Sequence, residues 1–112
     1  MKRKILFLVF ATLALFSATS FANKTIVCPG MYANHLQGIT MYDGKIYWSY
    51  TTKIICTDMN GKFITMTDAP YHQGDLCAVD GKIYVATNHK KFNKLNHAEN
   101  YVYVYDTNLK FI

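Results

Sequence analysis

Glutamate is nearly missing from this 112-residue chain: Glu99 is the only one, beside six aspartates. A reaction centre built on two glutamates is therefore excluded. Sustained 3.6-residue hydrophobic periodicity is absent as well, which argues against a helical fold. There is no glycine-rich phosphate loop, no serine elbow motif, no paired-cysteine knuckle and no aspartate series of the calcium-loop kind. Beyond residue 22 no apolar run is long enough to cross a bilayer as a helix. The chain holds three cysteines, Cys28, Cys56 and Cys77, an odd number that cannot pair completely. In an oxidising compartment one disulfide plus a free thiol is open to it. All three lie in apolar, strand-like surroundings, where cysteine serves as a small buried hydrophobe.

The amino terminus has the marks of an export signal. Lys2, Arg3 and Lys4 precede an apolar stretch over 5–16, and Ser20-Phe21-Ala22 offers small residues to a signal peptidase. The expected signal peptide is residues 1–22, with cleavage after Ala22 and a secreted or periplasmic product. Three of the twelve basic residues leave with it, so nine face seven acidic ones and the net charge falls from +5 to +2. Basicity is thus mostly a targeting effect. Lys90, Lys91 and Lys94 surround Phe92, yet three lysines in a solvated loop do not make a nucleic-acid surface, and no nucleic-acid partner is expected.

What the chain does have is an internal match. Asp43-Gly44-Lys45-Ile46-Tyr47 returns at Asp80-Gly81-Lys82-Ile83-Tyr84, 37 positions on, and His35 pairs with His72 at that shift. Further along, 53–64 matches 101–112 at a shift of 48, so the second copy holds 11 extra residues, around 88–100. Aromatic and β-branched residues predict strands over 45–50, 53–57, 62–66, 82–87 and 101–105, with weaker ones over 38–42 and 75–79. Asp43-Gly44, Asn60-Gly61 and Asp80-Gly81 supply the positive φ angles of tight hairpins, and Asn108 stands in for the third of these in the second copy. Ile46, Trp48 and Tyr50 share one strand face, opposite Tyr47 and Ser49, while tyrosines and valines take opposite faces over 101–105. Both faces are apolar, as a sheet covered on both sides requires. A period of roughly 40 residues in short strands is the signature of a propeller blade. The expected fold is all-β, with antiparallel four-stranded blades of a β-propeller, two present and not closed. Residues 23–34 form a lead-in, 35–71 the first blade and 72–112 the second, which stops inside its last strand. Because closed propellers need at least four blades, the sequence is expected to be part of a longer protein.

In such a meander the turns alternate between two ends, and the longer connections, 31–37, 67–74 and 88–100, gather at one of them. Long loops on one rim mark a working surface. His35 and His72 precede the innermost strands at that end, with Gln37, Asp75 and Asn88 nearby, and these five are the candidate ligand-binding residues. No cofactor is required for that reading. In the alternative, His35, His72 and Asp75 hold a divalent metal ion that activates water in a hydrolase or lyase. Against it stands the everyday role of such residues, tying down a crossover by bonding backbone. His89 and His97 are expected to be solvated, and Trp48, Tyr50 and the tyrosines of the last strand to be packing residues. The partner is an unidentified small ligand or an envelope protein, with no membrane span after signal cleavage. The exposed blade edge offers a further route to such a partner.

The segments HLQGI…DGKIYWS…TDMNGKFI and HQGDLCAVDGKIYVATN…KFN…YVYVYD resemble the opening blades of secreted bacterial β-propellers, the broad group of NHL-repeat, TolB-like and quinoprotein-like domains. The resemblance covers residues 35–112 and implies the architecture. It does not imply one activity, because these folds host lactonases, lyases, dehydrogenases and pure binding modules. The catalytic glutamate that gluconolactonase-like members place near their start has no counterpart before His35.

Overall fold

A computed structural model describes residues 23–89, 94–95 and 97–112; the expected signal peptide, and Lys90, Lys91 and Phe92 of the insertion, lie outside the described residues. Among the described residues seven strands form: β1 (Leu36–Tyr42), β2 (Lys45–Tyr50), β3 (Lys53–Asp58), β4 (Phe63–Asp68), β5 (His72–Val79), β6 (Lys82–His89) and β7 (Glu99–Asp106). No helix occurs among the described residues. The strands make two antiparallel sheets, β1-β2-β3-β4 and β5-β6-β7. Where a fourth strand of the second sheet was expected, there is a single antiparallel bridge, Tyr105 to Phe111.

Turn chemistry explains the hairpins, with two corrections. Asp43 and Gly44 have φ of 47° and 69°, and Asp80 and Gly81 of 49° and 73°, the two left-handed residues of a type I′ hairpin. The β3–β4 turn works differently: Gly61 is left-handed (φ 83°), whereas Asn60 is not. Here the Asp58 carboxylate accepts the amides of Asn60 at 2.8 Å and Lys62 at 2.9 Å. Those bonds, Lys62 first, hold the Asp58 carboxyl below its ordinary range. After β7, Asp106 receives the amides of Asn108 and Lys110 in the same way, at 2.8 and 2.9 Å. The left-handed residue of that turn is Leu109 (φ 62°), not Asn108. A left-handed leucine costs about 1–2 kcal/mol. Leu109 is 4% exposed in the core between the sheets, and burying such a side chain stabilises by about 1.5–3 kcal/mol, so packing outweighs backbone strain.

The front of the first sheet lies on the back of the second. Tyr47, Ile54 and Cys56 meet Leu76, Ile83, Val85, Tyr105 and Leu109 in one buried cluster. Two tyrosines span the gap: the Tyr47 hydroxyl donates to the Thr107 carbonyl at 2.9 Å, and the Tyr42 hydroxyl accepts the Gly81 amide at 3.0 Å. The back of the first sheet carries Ile46, Trp48 and Ile55, and it is covered by Ile26, Cys28 and Tyr32 of the lead-in segment. Trp48 Nε1 donates to Thr57 Oγ1 at 3.0 Å within that layer. Residues 26–32 thus cover the first sheet on the side where the first sheet covers the second. The front of the second sheet has no cover among the described residues. Cys77, Val79 (48% exposed) and Val102 (63% exposed) stand open there. The thiols depart from expectation for this reason: Cys56 is buried and Cys28 half-buried, but Cys77 falls on the open front, and all three are free.

Both inner strands carry a register shift at matched places, between Leu36 and Gly38 and between Gln73 and Leu76. The bulge carries β1 and β5 past their expected starts, so that His72 lies within β5 rather than before it. β1 and β5 touch beside these shifts. A Cβ on Gly38 would lie 2.2 Å from Asp75 Oδ1 and 2.8 Å from Asp75 Cα, so only glycine fits.

Two stability predictions follow from this interface. Gly38→Ala should lose about 1–3 kcal/mol in a denaturant titration, and adding Asp75→Ser should restore only part, because the backbone Cα stays in the way. The Ser49 hydroxyl is fully buried between the sheets with no hydrogen-bond partner among the described residues, and the matched position of the second sheet is Ala86. Ser49→Ala should raise stability by about 1 kcal/mol by removing an unsatisfied polar group; a fall in the denaturation midpoint would contradict it.

Candidate functional site

Strand direction alone puts the start of β1, the end of β2, the start of β3, the end of β4, the start of β5, the end of β6 and the start of β7 at one end of the sheets. The crossover from the first sheet to the second lies there too. Ala69 donates its amide to the Thr52 carbonyl and Gln73 its amide to the Thr51 carbonyl, each at 2.8 Å. The Gln73 side chain is fully buried. Its Nε2 donates to the Tyr71 carbonyl at 3.1 Å, and its Oε1 accepts from Thr87 Oγ1 at 3.2 Å. Gln73 therefore links the crossover, the second sheet and the β2–β3 turn of the first.

Two of the expected site residues meet directly. Gln37 Nε2 lies 3.1 Å from His35 Nε2 and donates to Thr51 Oγ1 at 3.3 Å. His35 is exposed at the start of β1. His72 is half-buried and opposes Asn88 in the β5–β6 register. Asn88 in turn donates through its side-chain amide to Asn100 Oδ1. Asp75 turns to its own strand, its Oδ1 accepting the Leu76 amide at 2.8 Å. Among the described residues no three His, Cys, Asp or Glu side chains are grouped so as to hold a metal ion. Lys53 and Asp68 form an exposed ion pair at the same end; a surface pair of this kind is worth little.

The densest group at this end involves a histidine expected to be solvated. His89, half-buried at the end of β6, stacks on Tyr71 with ring centroids 3.6 Å apart and planes at 28°. Tyr101 lies on it at 4.2 Å and 38°, and Tyr103 meets it edge-on at 5.5 Å. His89 Nε2 and the Tyr103 hydroxyl share a hydrogen bond at 2.5 Å. The Tyr101 hydroxyl donates to Glu99 Oε2 at 3.3 Å, and the Glu99 carboxylate is the main cause raising the Tyr101 phenol above its ordinary value. Tyr71 and Tyr101 keep 37% and 46% of their surface in solvent. The group thus has a half-buried centre between two partly exposed tyrosines. It can stack a planar or apolar ring surface and bond its rim through a carboxylate and a phenol.

The signal for His89 was parity. Ile83, Val85, Thr87 and His89 alternate onto one face of β6, as Tyr101, Tyr103 and Tyr105 do on β7. Carrying the strand two residues past Thr87 would have placed the histidine among the tyrosines. Gln73 gave no comparable signal, since its three partners come from separate segments.

Replacing Gln73 with leucine should cost about 1–3 kcal/mol, since the Tyr71 carbonyl loses its donor and the buried Thr87 hydroxyl one of its two partners. Amide exchange should quicken first at Ala69 and Gln73; uniform acceleration across both sheets would show that the crossover is not specially dependent on it.

No family model matches the chain, and no curated protein matches it either.

Proposed function

We propose that this chain is an exported propeller-type binding module, with its two sheets as sibling blades over residues 35–71 and 72–112. The working surface is the rim at the crossover end. The observation that carries this reading is the Tyr71–His89–Tyr101–Tyr103 group, half-open, hydrogen-bonded and flanked by Glu99. A group serving only to fill the core would not leave two tyrosine rings this exposed at a strand end. His35 and Gln37 extend the same rim on the first-sheet side, His72 and Asn88 lie at that end of the second sheet, and the ligand is a small molecule or an envelope protein that presents a ring or other flat apolar surface. Asp75, directed at its own strand and at Gly38, is a spacer between the inner strands.

Two features support the blade reading. The two sheets share a bulge in their inner strand and a carboxylate-bridged outer turn at matched positions. In addition, the open front of the second sheet carries Val79, Tyr84, Ala86, Val102 and Val104 where the buried front of the first carries Tyr42, Tyr47, Ser49, Ile54 and Cys56. Its shallow hollow of about 480 Å³ is lined by Asp75, Cys77, Val79, Tyr84, Ala86 and Val102. A front so like the covered one suits the packing of another sheet.

The test is a ligand-observed NMR screen of ring-bearing fragments and short glycans against the chain and its Tyr71→Ala and Tyr101→Ala variants. Hits should weaken tenfold or more in both variants, while the midpoint of thermal unfolding stays within a few degrees. Hits that persist unchanged in both would remove the rim from the proposal.

A further inference from the structure

The turn between β3 and β4 brings together the parts of a chemical reaction. Asn60 is exposed there and is followed by Gly61, the one Asn-Gly pair in the chain. A side-chain amide carbon placed one residue before a backbone nitrogen can close a five-membered ring with it, and such proximity is the main requirement for intramolecular attack. Glycine leaves that nitrogen unhindered. The outer turn of the second sheet is its natural counterpart. Asn108 follows Asp106 as Asn60 follows Asp58, with both of the same carboxylate bonds. In each turn the next amide donates to the aspartate carbonyl, Gly61 at 3.1 Å and Leu109 at 3.0 Å, so this restraint is common to the two. What differs is the residue that carries the nitrogen. Leu109 has a branched side chain held in the core, which crowds its nitrogen and fixes the turn.

A second observation concerns the carbon under attack. Lys24 Nζ donates to Asn60 Oδ1 at 3.1 Å and to the Met59 carbonyl at 3.3 Å. An ammonium on Oδ1 draws electron density from Cγ and meets the negative charge that grows on the oxygen when a nitrogen adds to Cγ. Among the described residues the Asn108 side chain has no such donor. The lead-in segment holds the cation in place: Ile26 and Cys28 pack on the Trp48 layer, and the Val27 carbonyl lies against Gly61.

We propose that Asn60 is a site of spontaneous modification, in which the Gly61 nitrogen displaces the side-chain amide as ammonia and Lys24 Nζ stabilises the intermediate. The Gly61 N–H gives its proton to hydroxide, and the nitrogen bonds to Asn60 Cγ while Oδ1 takes up the charge. Collapse of this intermediate breaks the Cγ–Nδ2 bond, and Nδ2 takes a proton from water and leaves as ammonia, which returns the hydroxide. The resulting succinimide adds water at Cγ to give aspartate, or at the backbone carbonyl carbon to give isoaspartate. The aspartate product keeps the turn and sets a carboxylate against Lys24. The isoaspartate product lengthens the backbone by one carbon, so the Asp58 carboxylate no longer spans the amides of residues 60 and 62. This turn lies at the end of the sheets away from the rim, and the inference stands apart from the rim reading.

The full chain, incubated at mildly alkaline pH and mapped at intervals by peptide mass spectrometry, tests this. Asn60 should gain one mass unit, as a mixture of aspartate and isoaspartate, at least tenfold faster than Asn108. Lys24→Met should slow the conversion at least threefold and Lys24→Arg should restore it, each with an unfolding midpoint within a few degrees of the parent chain. An Asn60 that stays intact while a blocked peptide of residues 57–63 converts fully overturns the proposal. Equal rates at Asn60 and Asn108 overturn it as well, and so does a rate unchanged or raised in Lys24→Met.

Discussion

Two backbone bonds at the crossover, from Ala69 and Gln73 to the carbonyls of Thr52 and Thr51, govern how the two sheets meet. They tie the start of the second sheet to the β2–β3 turn of the first, which leaves the second little freedom to slide. With that end pinned, the inner strands close until Gly38 touches Asp75, and Tyr47 comes within reach of the Thr107 carbonyl at the far turn. The fully buried Gln73 side chain satisfies the crossover at the centre of this arrangement. Buried polar groups of this kind stabilise when every partner is present and destabilise when one is lost.

The same constraint organises the end where function is proposed. Tyr71 belongs to the crossover, His89 to the end of β6, and Tyr101 and Tyr103 to β7; only the docking of the crossover on the sheet stacks them. Rigid strands hold the histidine, and the more exposed tyrosines sit at its margins. This is a division suited to recognition, with a fixed centre and solvent-facing contacts. The residues first suspected from the sequence are dispersed by comparison: His35 and Gln37 bond each other, Asn88 bonds Asn100, and Asp75 accepts the Leu76 amide.

Much of the scaffold was legible in the residues. Asp-Gly pairs located two hairpins, alternation assigned both faces of β2, and the internal match put strands at corresponding places. What escaped was whatever depends on contact between distant segments. The bulges near Gln37 and Gly74 lengthen the inner strands, and no local pattern announces them. Leu109 adopts a conformation usually left to glycine because the neighbouring sheet buries its side chain, a reason visible only after packing. Residues 26–32 have no strand periodicity, yet Ile26, Cys28 and Tyr32 seal the Trp48 layer. Cys77 reads as a core residue until the front of its sheet proves open.

That sealed layer gives the pair of sheets a direction. With Lys24 fastened to the Met59 carbonyl and Asn60, and Gly61 pressed so close to the Val27 carbonyl that a Cβ would come within 2.6 Å, the amino-terminal side is capped. The pair of sheets is consequently polar: among the described residues the outer face of Trp48 is covered and the outer face of Val79 and Val102 is open.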